Sequence, residues 1–186
     1  MILYPTETLY ALGVNAFDKG ELQKLADFKG RGSDKHASVL VRSIEDIQRW
    51  ALVSETAHII TERFLPGSLT LVLPLRTGLG AITTTSSNTL GFRISPDPVA
   101  QRTIAEYMSA HDAPLTCTSA NVSGQPPQST VPEILAQFGE TGKHIETIID
   151  DGPRSGTPST VVEVIGEKVT RHREGAIAAA EIRSVC

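Results

Sequence analysis

Short apolar segments alternate in this chain with segments that carry helix signals, and this alternation constrains its fold most. The strand candidates lie at 2–4, 38–42, 69–73, 89–94, 114–118, 145–149, 159–165 and 168–172. The helix candidates lie at 20–28, 44–51, 54–64, 98–109, 131–138 and 176–184. Interleaved strands and helices predict an α/β domain. Because the last two strand candidates are joined through Gly166, which suits a hairpin, we expect a mixed sheet.

Several helix starts are predicted from capping residues. Ser43 with Asp46 and Thr130 with Glu133 have the spacing of a capping box. Asp97 stands before a proline, which places a good cap ahead of a good first helical residue. These signals predict helices that begin directly after each capping residue.

The length and charge of the chain limit its class. Its 186 residues indicate one domain with a real core, and the net charge of −4 argues against a generally basic nucleic-acid binder. Four basic residues nevertheless fall close together: Lys29, Arg31, Lys35 and Arg42. They indicate either a local basic patch or a solvated loop.

The two cysteines, Cys117 and Cys186, form neither a disulfide framework nor a zinc-ligand spacing. No apolar run approaches the length of a membrane span, and no signal peptide is visible. We therefore expect a protein of the reducing cytoplasm, with no metal site of its own and no membrane partner.

Two separated segments offer groups for binding an anion. Lys29 and Arg31 stand two residues apart, so in an extended loop their side chains share one side. Ser119 and Asn121 follow an apolar strand candidate, and ligands of open α/β sheets favour such strand ends. Standing alone, the Ser-Ala-Asn segment is also typical of a helix cap or turn.

Arg93 ends a strand candidate beside Pro96, where it indicates either a carboxylate-binding group or an ordinary surface arginine.

Other site types are excluded by pattern. The chain has no G-x-S-x-G nucleophile elbow, no Walker A loop and no cluster with metal-ligand spacing.

Taken together, these residues give the chain a clear resemblance to the YrdC/TsaC family of L-threonylcarbamoyladenylate synthases. Seven family patterns occur in order over nearly the whole chain. They are residues 5–13 (PTETLYALG), 29–31 (KGR), 66–70 (PGSLT), 92–96 (FRISP), 119–124 (SANVSG), 159–160 (ST) and 173–175 (REG). Any one of them is weak, but seven in the same order are specific.

The resemblance implies an open, twisted α/β sheet, with flanking helices, around a concave basic groove. It further implies synthesis of threonylcarbamoyl-AMP and pyrophosphate from L-threonine, bicarbonate and ATP, with Mg²⁺ expected beside the phosphates. The product would serve the t6A modification of tRNA, which other proteins of that pathway complete.

The resemblance also implies roles for individual residues. It assigns ATP binding to Arg31, Lys35, Thr89, Ser119 and Arg173, L-threonine binding to Thr8, Arg93 and Ser159, and the catalytic cluster to Lys29, Arg31, Ser119 and Asn121. We expect Lys29→Ala or Arg31→Ala to abolish turnover while leaving the fold intact.

One departure from the family concerns the start of the chain. Family members usually carry an N-terminal helix and most of a first strand before the motif at Pro5, whereas here only four residues precede it. We expect one YrdC-like domain over residues 1–186 without that helix. Either the start is truncated or misassigned, or a neighbour covers the exposed part of the sheet.

Two other functions stay open at this point. The first is a module that binds double-stranded RNA or tRNA through the basic groove, against which the acidic net charge weighs. The second is a carbamoyl-transfer relative with another acceptor, although such relatives usually carry this domain inside a much longer polypeptide.

Overall fold

The computed structural model describes residues 1–30, 37–77 and 88–185. Its strands are β1 (Ile2–Pro5), β2 (Tyr10–Gly13), β3 (Ser38–Leu40), β4 (Leu69–Pro74), β5 (Thr89–Arg93), β6 (Leu115–Ser119), β7 (Thr147–Ile148), β8 (Thr160–Ile165) and β9 (Lys168–Arg173). Its helices are α1 (Lys19–Phe28), α2 (Ile44–Trp50), α3 (Glu55–Phe64), α4 (Pro98–His111), α5 (Val131–Phe138) and α6 (Ala179–Arg183), with a 3₁₀ helix over Gly139–His144.

The nine strands form one sheet in the order β7-β1-β2-β6-β3-β5-β4-β8-β9. The pairs β1–β7, β3–β5 and β4–β8 are parallel, and the other five pairs are antiparallel. The mixed sheet is thus confirmed. The predicted β8–β9 hairpin is confirmed too, with Gly166 at φ +59°, a conformation that favours glycine.

Two hydrophobic clusters cover the sheet because successive strand residues point to opposite faces. On β1, Leu3 belongs to the cluster that contains Leu25 of α1 and Ile134 of α5. Its neighbour Tyr4 belongs to the larger cluster, which contains Trp50 of α2 and further residues of α3 and α4. Helices therefore pack on both faces at this end of the sheet.

The other half of the sheet has one buried face and one open face. On β5, Leu90 and Phe92 lie in the larger core cluster, whereas Thr89, Gly91 and Arg93 line a cleft. Strands β4 and β8 alternate in the same way. This alternation gives the cleft a polar floor built on a rigid sheet.

The capping predictions had mixed outcomes. The Asp97 carboxylate accepts from the second and third backbone N–H groups of α4, and Thr130 and Glu133 form the predicted capping box of α5. The helix after Ser43 begins at Ile44 as predicted, but its capping box is absent, because the Ser43 hydroxyl makes no cap bond and Asp46 pairs with Arg42 instead. Arg42, one of the four clustered basic residues, therefore forms an ion pair with Asp46.

Some element predictions were also wrong. Strand β2 was not predicted. Strand β7 spans only two residues of the predicted 145–149, and helix α6 is shorter than the predicted 176–184. Within the three described ranges, no helix is long and apolar enough to cross a membrane.

Candidate functional site

The cleft over the open face has a volume of about 580 Å³. It brings together seven of the residues singled out in the sequence: Thr8, Thr89, Arg93, Ser119, Asn121, Ser159 and Arg173. These residues come from strands β5, β6 and β9 and from the ends of loops beside β2 and β8. The predicted Arg31 and Lys35 lie outside the described residues.

Arg93 forms the buried end of the cleft. One terminal nitrogen donates to Glu7 Oε1 and to Thr8 Oγ1, the latter at 3.3 Å. The other lies 3.6 Å from Cys117 Sγ. Since only 7% of Arg93 is exposed, its interpretation as a surface arginine was wrong. Its Nε is buried without a hydrogen-bond partner.

Glu7 holds the Arg93 guanidinium in place. Its Oε2 accepts from Ser95 Oγ at 2.5 Å, and its Oε1 accepts from Ser68 Oγ at 3.3 Å in addition to Arg93. Burial by itself lowers the pKa of Arg93, but the nearby Cys117 and Glu7 outweigh burial and raise that pKa. The guanidinium therefore stays charged inside the protein, with a donor left over.

The loop between β1 and β2 is closed by its own hydroxyls and by a later segment. Thr6 Oγ1 donates to the Leu9 carbonyl at 2.7 Å and lies 3.0 Å from Thr8 Oγ1. From residues 150–158, Arg154 Nε donates to the Thr6 carbonyl at 3.2 Å and the Gly156 N–H donates to the Thr8 carbonyl at 2.8 Å. Thr8 is therefore fixed from both sides.

Ser159 and Arg173 form the next part of the cleft. The Ser159 hydroxyl is 3% exposed and lies 2.8 Å from Thr70 Oγ1. Arg173 donates to the Ser159 carbonyl from Nε at 3.0 Å and from a terminal nitrogen at 2.8 Å. Burial, and then the like charge of Arg93, lower the pKa of Arg173. This pairing with a neutral carbonyl favours an incoming anion.

Lys29 supports the loop that carries Ser119 and Asn121. Its ammonium donates to the carbonyl oxygens of Ser119 and Asn121, the second at 2.7 Å, and only 4% of the residue is exposed. The Lys29 carbonyl in turn accepts from the Ser123 N–H at 2.8 Å. Lys29 thereby fixes the Ser-Ala-Asn loop against the end of α1.

Ser119 and Asn121 are the side chains that this loop presents. Ser119 Oγ donates to Asn121 Oδ1 at 2.5 Å, and Asn121 Nδ2 donates to the Gln125 carbonyl at 2.7 Å. The Asn121 N–H also bonds to the Ser119 carbonyl, so the segment is a turn as well as a part of the cleft. The turn is confirmed, and anion binding by these residues stays a prediction.

The predicted concave groove is present, and its basic character stays a prediction. The charged side chains among the described lining residues are Arg93, Arg173 and Glu163, with His172 beside them. Arg93 is already paired with Glu7, and the two further predicted cations lie outside the described residues.

Three candidate residues of the functional site were not predicted from the sequence: Glu7, Glu163 and His172. Glu7 stands inside the first motif between two threonines, and its carboxylate is only 14% exposed, which requires a cationic partner. Only the fold shows that this partner is Arg93, which lies 86 positions away. Glu163 is the charged residue of a strand whose other residues are Thr, Val and Ile, and that signal was available in the sequence.

Comparisons with known proteins agree with this arrangement. The family model Sua5/YciO/YrdC, described as telomere recombination, matches residues 1–175, and the chain belongs to that family. A threonylcarbamoyl-AMP synthase of Pyrococcus abyssi is 32% identical over 100% of this chain and 53% of its own length. One from Idiomarina loihiensis is 28% identical over 92% of this chain and 90% of that protein.

A solved structure shows the same fold. The crystal structure of P. abyssi Sua5 complexed with L-threonine matches with a TM-score of 0.84 and 30% identity, over 99% of this chain and 53% of that one. The chain thus spans about half the length of the P. abyssi protein and most of the I. loihiensis protein.

Proposed function

We propose that this protein is a threonylcarbamoyl-AMP synthase, which uses L-threonine, bicarbonate and ATP. The observation that carries the proposal is the cleft itself. It places a buried, charged arginine with a spare donor near a second arginine that has no carboxylate partner among its described contacts. Such a cleft suits a carboxylate at one end and phosphates at the other. The relatives named above carry the same activity in their names.

The chemistry needs no protein nucleophile. The threonine amine and bicarbonate give a carbamate and water, and a carbamate oxygen then attacks the α-phosphate of ATP. The new oxygen–phosphorus bond gives threonylcarbamoyl-AMP, and pyrophosphate leaves with the electron pair of the broken bond. The protein contributes by holding the two reactants in line and by stabilising charge at the phosphoryl centre.

Arg93, Thr8 and Ser159 are the groups for L-threonine. The threonine carboxylate would bind the Arg93 guanidinium, whose Nε has no other acceptor. The Thr8 and Ser159 hydroxyls, both 3% exposed, offer hydrogen bonds to its polar groups. The threonine complex of P. abyssi Sua5 supports this substrate for a protein of the same fold.

Arg173, Thr89, Ser119 and Asn121 are the groups for ATP, together with the predicted Arg31 and Lys35. Arg173 would bind phosphate in place of part of its contact with the Ser159 carbonyl. Ser119 and Asn121 would donate to phosphate oxygens from a loop that Lys29 holds still. In this proposal Lys29 acts through the loop and stabilises its shape.

The remaining components are proposals as well. Mg²⁺ would bind the phosphates, since the described residues contain no group of three or more His, Cys, Asp or Glu side chains suited to a metal. We further propose that the product serves the t6A modification of tRNA in the cytoplasm, together with other proteins of that pathway.

Product formation tests the proposal directly. Purified protein is incubated with ATP, Mg²⁺, L-threonine and bicarbonate, and mass spectrometry follows threonylcarbamoyl-AMP. The expected result is product only when every substrate is present. A folded protein that binds ATP but gives no product with L-threonine would refute the proposed function. RNA binding that falls steeply with salt in such a protein would favour the RNA-binding alternative.

A further inference from the structure

A β-bulge turns two consecutive basic side chains of β9 into the cleft. Val161 pairs with Arg173, whereas its neighbour Val162 pairs with Arg171, so His172 is the extra residue on β9. In a regular strand, neighbouring side chains point to opposite faces. Here both His172 and Arg173 line the cleft. Bulges are frequent beside active sites because they redirect a side chain.

The redirected histidine lies near the one carboxylate among the described lining residues. His172 Nε2 is 3.5 Å from Glu163 Oε2, and both residues line the cleft. The Glu163 side chain is 21% exposed and that of His172 is 49% exposed. The carboxylate is therefore half-buried, faces the cleft and can accept further hydrogen bonds.

The position of Glu163 along β8 separates it from the threonine end. Glu163 stands four residues beyond Ser159, about 13 Å along the strand, and two residues beyond Val161, about 6.6 Å from the level of Arg173. The Arg173 guanidinium contacts Ser159, so a ligand whose phosphates bind Arg173 and that extends along β8 away from the threonine end would bring its next polar group to Glu163.

The charge of Glu163 limits what that polar group is. A carboxylate repels phosphate, so the group it faces is a hydrogen-bond donor. The threonine ammonium is a donor, but the proposed function assigns threonine to Arg93, Thr8 and Ser159 at the opposite end. The remaining donors of a nucleotide next to its phosphates are the ribose hydroxyls, which carboxylates commonly bind in nucleotide sites.

We propose that Glu163 and His172 form a ribose-hydroxyl site, in which the Glu163 carboxylate accepts a hydrogen bond from a ribose hydroxyl of ATP and His172 orients that carboxylate. The inference rests on the proposed function, since it takes ATP as the ligand of the cleft. Glu163 is the contacting residue and His172 is a positioning residue.

The test compares nucleotides that differ by one hydroxyl. Affinities of ATP, 2′-deoxy-ATP and 3′-deoxy-ATP are measured by calorimetry for wild type, Glu163→Ala, Glu163→Gln and His172→Ala. Wild type is expected to bind ATP at least about tenfold more tightly than one deoxy analogue, because a charged acceptor loses its donor. Glu163→Ala is expected to reduce this ratio to about one, with Glu163→Gln and His172→Ala between the two.

Arg171→Ala is the matched control. Arg171 neighbours His172 on β9, but it pairs with Glu174 and is not among the residues that line the cleft. This variant should keep the full ribose-to-deoxyribose ratio. Thermal melting of each variant checks the fold independently of binding.

The outcomes separate this inference from the proposed function. An unchanged ratio in a folded Glu163→Ala variant overturns the ribose site, even when product still forms. No preference for ATP over either analogue in wild type overturns it as well. A folded wild-type protein that neither binds ATP nor makes product overturns both proposals.

Discussion

Replacing Lys29 by methionine should loosen the loop that presents Ser119 and Asn121. Methionine keeps an unbranched apolar stem but donates no hydrogen bond, so the Ser119 and Asn121 carbonyl oxygens both lose the charged donor, although Ser119 keeps the Asn121 N–H. The position is 4% exposed, which leaves little room for water to replace the ammonium. A Lys29 variant is therefore expected to fold with reduced stability.

The size of the effect follows from the two bonds. A hydrogen bond from a charged donor contributes about 1.5–3 kcal/mol. Methionine also avoids burying a charge, which offsets part of the loss. We therefore expect the free energy of unfolding to fall by about 2–3 kcal/mol. For a chain of this size, that lowers Tm by roughly 5–10 °C.

Urea unfolding and thermal melting measure this change, and calorimetry with ATP measures the loop. Lys24→Met in the same helix is the control, because Lys24 is exposed. ATP affinity should fall about tenfold in Lys29→Met and stay at the wild-type value in Lys24→Met. If both variants unfold at the same urea concentration as wild type, the loop-holding role of Lys29 is refuted.

Three further predictions concern other parts of the fold. Asp46 is buried, which raises the pKa of its carboxyl, but its hydrogen bonds and ion pair with Arg42 outweigh burial and lower that pKa. The stabilising effect of the Asp46 carboxylate is therefore present above its unfolded pKa and is lost as the pH falls through its folded pKa. Asp46→Asn should lower the free energy of unfolding by about 1–3 kcal/mol at neutral pH and by much less in acid. Urea titrations at both pH values measure this difference. Gly156→Ala would place a Cβ 2.7 Å from the Thr8 carbonyl oxygen. Because that contact is too short, Tm and threonine affinity should both fall. An unchanged Tm would contradict the close approach. Arg93→Ala should raise the threonine KM by about ten- to hundredfold and the ATP KM far less, and steady-state kinetics with equal effects on both substrates would count against a carboxylate role.

The sequence predicts most of the fold because its elements carry local signals. The caps at Asp97 and Thr130 act within one helical turn, so their neighbours in sequence suffice to identify them. Strand β2 was not predicted because all four of its residues are buried. A strand buried on both faces shows no alternation, and its residues were instead assigned to a motif.

The site is only partly predictable for a different reason. The resemblance identified single residues, but the function of each depends on partners far away in the chain. The pairing of Glu7 with Arg93 spans 86 positions and that of Lys29 with Ser119 spans 90. The bulge at His172 depends on strand register, which hydrophobic pattern alone does not fix there.

The loop between β1 and β2 is tied to residues made much later, and this has a consequence for synthesis on the ribosome. The Tyr10 hydroxyl donates to the Gly152 carbonyl across 142 positions, and the Gly156 N–H closes onto Thr8. A nascent chain that ends before residue 150 lacks these ties, so its first motif is held by fewer hydrogen bonds than in the full chain. Under the proposed function, the motif that is synthesised first would reach its full set of contacts only after residues 150–156 are added, so threonine binding would report a chain that extends past them.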